Sequence, residues 1–297
     1  MTTIREFNDI PVSTRTFTAT SNVIIDMKAF FDLIEITPYT VIPKKRGRRK
    51  KTNIDDPNKD IPYGSIITAK FESHIKGVDM KANKPTKKWF RNSITLVMVC
   101  DKILNFKVCK NGTLQMTGCK TVEHAKLCVK RLWGLIKQNP SIYNMKGDKF
   151  TTLIIPSMRN IDFSIDYLVD REKLNSYMVS SIQSHCLLET SFGYTGVNIK
   201  FPVTTDINQI EIYKLEGDHT SVWEDTLSTY SEFAELVSKT QVQQNRKKRT
   251  RYNTFLVFHS GKVIMSGMSP EVMVGTYYIF RDIMTRARPE VEEKLIL

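Results

Sequence analysis

Hydrophobic positions recur along the chain with two different periods, and the switches between them mark its elements. RTFTATSNVII, Arg15 to Ile25, is rich in threonine and β-branched residues and predicts a strand. It runs into DMKAFFDLI, a short helix that Asp26 can cap by accepting from the orphan amides of the first turn, and Pro38 and Pro43 end the regular structure. YGSIITAKFESHI reads as extended. FRNSITLVMVCDKILNFKVCKNGTLQMTG holds three strand-like runs with turns at Asp101-Lys102 and Asn111-Gly112; both residues of the Asn-Gly pair tolerate positive φ, a strong hairpin signal. The period then changes to three and four. Val122, Ala125, Cys128 or Val129, Leu132 and Leu135 or Ile136 put one apolar face on a helix and leave Lys126, Lys130, Arg131 and Lys137 for solvent.

The second half repeats this order. MRNIDFSIDYL alternates at Ile161, Phe163 and Ile165, REKLNSYMVSSI suits a helix, and FGYTGVNIKFPV is another strand. A polar insertion from Thr204 to Gln244 contains a helix, YSEFAELVSKT. A hairpin turning at Ser260-Gly261 follows. The final helix starts with Ser269 as cap and Pro270 at its first position, and carries an apolar stripe of Met273, Tyr277, Phe280 and Met284.

Set side by side without gaps, NFKVCKNGTLQMTGC and TFLVFHSGKVIMSGM match Phe106 with Phe255, Val108 with Val257, Gly112 with Gly261, Met116 with Met265 and Gly118 with Gly267. FRNSITLVMV from Phe90 can be set against FGYTGVNIKF from Phe192. The expected fold class is α+β: two separate domains, or one pseudo-symmetric antiparallel sheet with helices on one face and the other face open. Alternation sends Phe255 and Val257 toward the helices. Leu256 and Phe258, with Ile264 and Ser266 across the hairpin, then lie on the open face. An exposed apolar stripe of that kind calls for a ligand.

The charge narrows the ligand. Lysine and arginine number 44 against 31 acids, a formal net charge of +13 on 297 residues, which points to nucleic acid or an anionic surface. No apolar run approaches the roughly 18 residues of a membrane span, and MTTIREFND lacks a signal-peptide pattern; the chain is expected to be soluble, intracellular and without a membrane partner. Basic residues gather in KKRGRRKK, KANKPTKK and NRKKRTR. Arg46 and Arg48 form an R-G-R element that can enter an A·T minor groove, graze phosphates or serve as a nuclear-import signal, while Arg249 and Arg251 precede a sheet strand and read as phosphate contacts. The five cysteines form no C-x-x-C pair and leave an odd one over, so no disulfide framework is expected. Cys119, His124 and Cys128 come nearest to a metal set and read as packing residues, so neither metal nor cofactor is expected. With no paired carboxylates, phosphate-cradling glycine loop or nucleophile elbow, the chain does not read as an enzyme.

FLVFHSGKVIMSG followed by a long helix, with the weaker copy FKVCKNGTLQMTGC upstream, resembles the repeated core of the TATA-box-binding protein family, in the divergent form encoded by large DNA viruses. The resemblance implies a pseudo-symmetric saddle whose sheet enters a widened, A·T-rich minor groove while phenylalanines wedge at base steps. Unstacking costs about a few kcal/mol per step, and the bend lets DNA wrap more protein. Phe258 matches one wedge; Phe192, with Tyr194 as its alternative, and Phe90 are the other candidates. The fourth wedge position falls on Cys109, with Phe106 replacing it only if the register slips. Asn160 sits at a central groove-reading position whose counterpart is near Thr16. Thr117 and Ser266 match paired threonines, and Lys107 and Gln115 stand where the family has apolar groove contacts.

On this reading residues 1–140 form a first repeat with a basic insertion around 44–88, and 141–297 a second with an insertion around 204–250. The implied activity is promoter recognition by DNA bending, with recruitment of a factor resembling transcription factor IIB and of RNA polymerase. The implied state is a monomer with an internal pseudo-dyad, acting in a viral factory in the host cytoplasm or in the host nucleus, or carried in the virion. The competing reading is a sheet that stacks single-stranded DNA or RNA on the same face.

Overall fold

The computed structural model describes residues 5–42, 56–79, 91–188, 196–220, 222–237 and 250–293. The architecture is α+β and its main sheet is antiparallel, as the alternation predicts. Two compact units are present. One comprises Phe17–Ile154 and Tyr213–Thr226, the other Met1–Thr16, Ile155–Ile212 and Leu227–Leu297. Compactness divides the chain differently from the expected repeat ranges: Met1–Thr16 groups with the second half, and residues 141–154 and Tyr213–Thr226 group with the first.

In the first unit β1 (Val12–Ser21), β2 (Val23–Ile25) and α1 (Met27–Leu33) precede a hairpin of β3 (Ser65–Phe71) and β4 (His74–Gly77). Then come β5 (Ser93–Val99), β6 (Ile103–Cys109), β7 (Thr113–Cys119) and α2 (Val122–Ile136). The strand path is β1-β7-β6-β5-β3-β4, to which only the C-terminal part of β1 contributes here. Leu96 pairs with Phe106 and Phe106 with Met116, a cross-strand row buried beneath α2 with Leu132 and Trp133 in one core. Such rows are what fix a sheet's register, since a one-residue slip would turn every one of these side chains to water.

After β8 (Tyr143–Met145), which pairs with β2, the chain forms β9 (Phe150–Ser164), α3 (Arg171–Ser180), β10 (His185–Leu188) and β11 (Gly196–Pro202). The insertion supplies β12 (Glu211–Gly217), β13 (Trp223–Thr229) and α4 (Tyr230–Val237), and β14 (Tyr252–Phe258), β15 (Lys262–Gly267) and α5 (Pro270–Val291) complete the chain. The second unit's path is β10-β11-β14-β15-β9. Its core joins sheet to helix through Phe255, stacked on Phe280 of α5 at 4.1 Å between centroids and 9° between planes. Truncating such a buried phenylalanine costs about 3–5 kcal/mol.

The repetition of element order extends to individual hydrogen bonds. In the first unit the Ser21 amide donates to the Gly112 carbonyl and the Ile25 amide to that of Lys110; in the second, Ile165 donates to Gly261 and Val169 to His259. Asp26 caps α1 by accepting from the amides of Lys28 and Ala29, and Asp170 caps α3 through those of Glu172 and Lys173. Both hairpin glycines have positive φ, 72° at Gly112 and 74° at Gly261. A Cβ on either would lie 2.3 Å from the Val23 carbonyl oxygen or 2.2 Å from that of Tyr167, so glycine is needed twice over at the same place in each half.

Three sequence expectations change. YGSIITAKFESHI is two strands and not one, folded at Glu72 with φ 51°. The polar insertion holds a strand pair besides its helix. The basic side of α2 is not left to solvent: Lys126 is buried, and Lys130 and Lys137 meet insertion residues. Helical period identifies the face that seeks the core, but a cover brought from some 90 residues away leaves no local trace.

Candidate nucleic-acid interface

Each unit has one sheet face packed under helices and one turned outward. In β14, Asn253, Phe255 and Val257 are buried while Thr254, Leu256 and Phe258 are partly exposed; in β15, Val263 and Met265 are buried while Ile264 and Ser266 are not. The alternation predicted for this hairpin therefore holds. Leu256 lies opposite Ile264, Ser266 opposite Asn160 of β9, and Asn198 of β11 opposite Leu256. A continuous outward row thus reads Asn198, Leu256, Ile264, Asp162, and its neighbour Lys200, Thr254, Ser266, Asn160. Phe258 stands at the end of β14, where an open cleft of ≈ 740 Å³ runs between it and Asp162, Ser164, Lys262 and Ile264.

The side-chain oxygens of Asn160 and Asn198 have no hydrogen-bond partner among the described residues. Those oxygens are shielded from solvent, so what each amide can offer the acceptors of an A·T minor groove is its NH2 donors. Asn198 and Lys200 are absent from the face expected from the sequence, although the alternation in VNIKF, with Val197 and Ile199 buried, carries the signal.

The first unit's outward face is more polar. Thr95, Lys107 and Gln115 form one cross-strand row and Val97, Asn105 and Thr117 the next, with the Thr117 hydroxyl donating to the Asn105 carbonyl at 3.3 Å. Cys109 occupies the place that Phe258 has in the second unit, since Ser93 faces Cys109 as Gly196 faces Phe258. Burial pushes its thiol up, against the pull of Lys107, so at neutral pH it is a small neutral group. Phe106 is buried in the core row, and the register does not slip to bring it outward. At the edge this face is covered: the Thr68 hydroxyl donates to the Val78 carbonyl at 2.6 Å and Lys70 is ion-paired to Asp79.

The ladders also sharpen one alignment. Leu96 faces Phe106 as Ile199 faces Phe255, which makes β5 and β11 the equivalent strands of the two units. Phe90, Phe192, Tyr194, Arg46, Arg48 and Arg249 lie outside the described residues. Arg251 is described: its guanidinium lies 5.3 Å over the Tyr230 ring of α4 and donates to that tyrosine's hydroxyl at 2.5 Å, placing it beside the sheet face and anchored to the insertion's helix.

Among the described residues, Cys100, Asp101 and His124 are the group with metal-ligating atoms close together. The imidazole is already committed. His124 Nδ1 accepts from the Lys120 amide at 3.2 Å and Nε2 faces Asp101 at 2.8 Å, which ties down the start of α2. Cys128, the third member of the set suggested by the sequence, is fully buried in the core.

Comparison with known proteins adds two viral relatives. "Uncharacterized protein 335L" of Invertebrate iridescent virus 6 is 24% identical over 219 residues, 71% of this chain and 64% of its own length. "TATA-box-binding protein-like" of Acanthamoeba polyphaga mimivirus is 27% identical over 231 residues, 73% of this chain and 57% of its own. The chain therefore matches less than two thirds of the length of these relatives. The solved structure of Methanococcus jannaschii TBP aligns over 93% of this chain and 98% of its own, at 12% identity and a TM-score of 0.44. No family model matches the chain.

Proposed function

We propose that this chain, 27% identical to the "TATA-box-binding protein-like" protein of Acanthamoeba polyphaga mimivirus, is a divergent protein of that kind, and that it binds double-stranded, A·T-rich promoter DNA through the minor groove and bends it, acting without catalysis. The observation that carries this reading is the outward face made of two neighbouring rows, Asn198, Leu256, Ile264 and Asp162 beside Lys200, Thr254, Ser266 and Asn160, with Phe258 at the end of β14. Apolar, hydroxyl and amide side chains share this face, and an aromatic stands at its end next to an open cleft. A flat apolar strip can slide into a groove whose floor has few donors, the amides can meet base edges, and the ring can enter a step that bending has opened. The excess of 13 positive charges supplies the sequence-independent attraction to phosphate.

The two faces differ in what they offer. The second unit presents Phe258, Leu256 and Ile264; the described part of the first presents Asn105, Lys107, Gln115 and Thr117 and a cysteine at the wedge position. The proposed complex is accordingly asymmetric, with the second half wedging and the first half holding backbone. Recruitment of a factor resembling transcription factor IIB and of RNA polymerase belongs to the same proposal. Exposed Ile279 and Tyr278 on α5 offer such a partner an apolar patch away from the sheet.

Competition tests the reading. A labelled A·T-rich duplex bound to the protein should be displaced by unlabelled A·T duplex and by a minor-groove ligand, and poorly by single strands of the same sequence. Displacement by single-stranded DNA or RNA in preference to duplex would instead make the outward face a stacking platform.

A further inference from the structure

The insertion meets α2 on the face that its hydrophobic period assigns to solvent. The ammonium of buried Lys126 is held by Asp225 and by Glu123 at 3.0 Å, and lies 5.0 Å from the Tyr213 ring. Lys130 sits 5.6 Å over the ring of Trp223, Trp133 Nε1 donates to the Asp218 carbonyl at 2.8 Å, and Lys137 donates to the His219 carbonyl at 3.0 Å. The indole of Trp223 fills the space a side chain at position 217 would need, with a Cβ on Gly217 falling 2.8 Å from it, and stands edge-on to Phe150 at 6.2 Å. The outer side of α2 and its surroundings therefore offer a buried cation for a carboxylate, a socket for an indole and two further donors for a passing backbone.

The insertion's two strands depend on these contacts unequally. β12 belongs to the core: Ile212 and Leu215 are buried, and Tyr213–Gly217 pairs with Phe150–Ile154. β13 pairs with β12 alone, and its residues Glu224, Asp225, Thr226 and Leu227 are exposed. One ring and one carboxylate attach it to the helix side, the ring also packing on the edge of the core against Phe150, and its only buried side chain is that of Ser228.

We propose that the outer face of α2 is a docking surface for an acidic, tryptophan-bearing segment of a partner protein, and that β13 occupies it in cis as a competitor. The recognition chemistry is a carboxylate for Lys126 and an indole for the Gly217 socket under Lys130. The partner's apparent affinity falls by the fraction of time that β13 is seated, so whatever releases β13 switches the surface on. The proposal does not depend on what the outward sheet face binds.

A peptide of residues 218–230, labelled and added in trans, tests it. The peptide should bind the Trp223→Ala/Asp225→Ala variant about tenfold or more tightly than the unaltered chain, and adding Gly217→Leu, which fills the socket, should abolish that gain. Equal binding to both, or binding to neither, overturns the proposal and makes β13 a fixed part of the fold. Should the double variant fail to fold, amide hydrogen exchange on the unaltered chain decides: Trp223–Thr226 should exchange about a hundredfold faster than Phe106 and Met116. Exchange of both segments in one global step would overturn the proposal.

Discussion

Gly112 and Gly261 show how much a single residue can be asked to satisfy. Each needs a left-handed backbone, and each lies where a methyl group would meet a carbonyl oxygen at 2.3 or 2.2 Å. Alanine at either position should destabilise its unit by about 1–3 kcal/mol, read from urea midpoints. Gly134, exposed in the interior of α2 with nothing within 4 Å of its would-be Cβ, gives the control: Gly134→Ala should stabilise by about 0.5–1 kcal/mol. The outward residues follow a different logic, because their side chains face away from the core beneath the helices. On the proposed DNA reading, Lys200→Gln or Lys107→Gln should weaken binding equally for all duplex sequences. Each should also reduce the slope of log affinity against log salt by about 0.9 per phosphate that the variant no longer neutralises.

The two short helices are held by paired devices. Asp26 and Asp170 cap α1 and α3 through two amides each, and replacing either with alanine should cost about 1 kcal/mol. The amide of Lys173 holds the Asp170 carboxyl below its ordinary value near 3.8, with burial opposing. A depressed folded pKa means that this contribution is complete above the ordinary value and is lost as pH falls through the folded one; Asp170→Ala should therefore abolish only the acid-side part of the stability profile. At the other end of α1, Lys76 donates to the carbonyls of Phe31 at 2.8 Å, Asp32 at 2.9 Å and Ile34 at 3.2 Å, closing the helix end from a neighbouring strand. Lys76→Met should lower the first unit's thermal midpoint while leaving α3 and its cap unaffected.

Elements also divide what could be read from what could not. The β14–β15 hairpin and its outward set were legible, because strict alternation of Phe255, Val257, Val263 and Met265 with Leu256, Phe258, Ile264 and Ser266 fixes both faces by geometry alone. The equivalence of Asp26 with Asp170 was not, since the shared signal, an aliphatic pair before each aspartate, Ile24-Ile25 and Leu168-Val169, is too short to stand out in sequence. β12 and β13 escaped for a third reason. In EIYKLEG the apolar positions are too few to outvote Glu, Lys and Glu, and WEDTLST is polar because its face is water. Their order comes from pairing with β9 and from Trp223 under Lys130, long-range facts that no local window contains.

At the scale of the molecule, the same element order, the same capping aspartates and the same hairpin closures occur in each of two units, yet the outward faces are chemically unlike. Duplicated architecture with unequal surfaces suits a ligand gripped at two places in two ways. The first half offers amide, hydroxyl and ammonium groups; the second adds an apolar strip and an aromatic. This is why bending, and not binding alone, is the central claim. A basic protein binds any polyanion, whereas a bend that depends on one aromatic ring requires that ring to act on the base stack. The decisive measurement is fluorescence energy transfer across the ends of a short A·T-rich duplex, with the unaltered chain and with Phe258→Ala compared at saturating protein. The account predicts higher transfer with the unaltered chain and a clear loss of it with Phe258→Ala while most of the affinity remains. Saturated binding with no gain in transfer by the unaltered chain would contradict it.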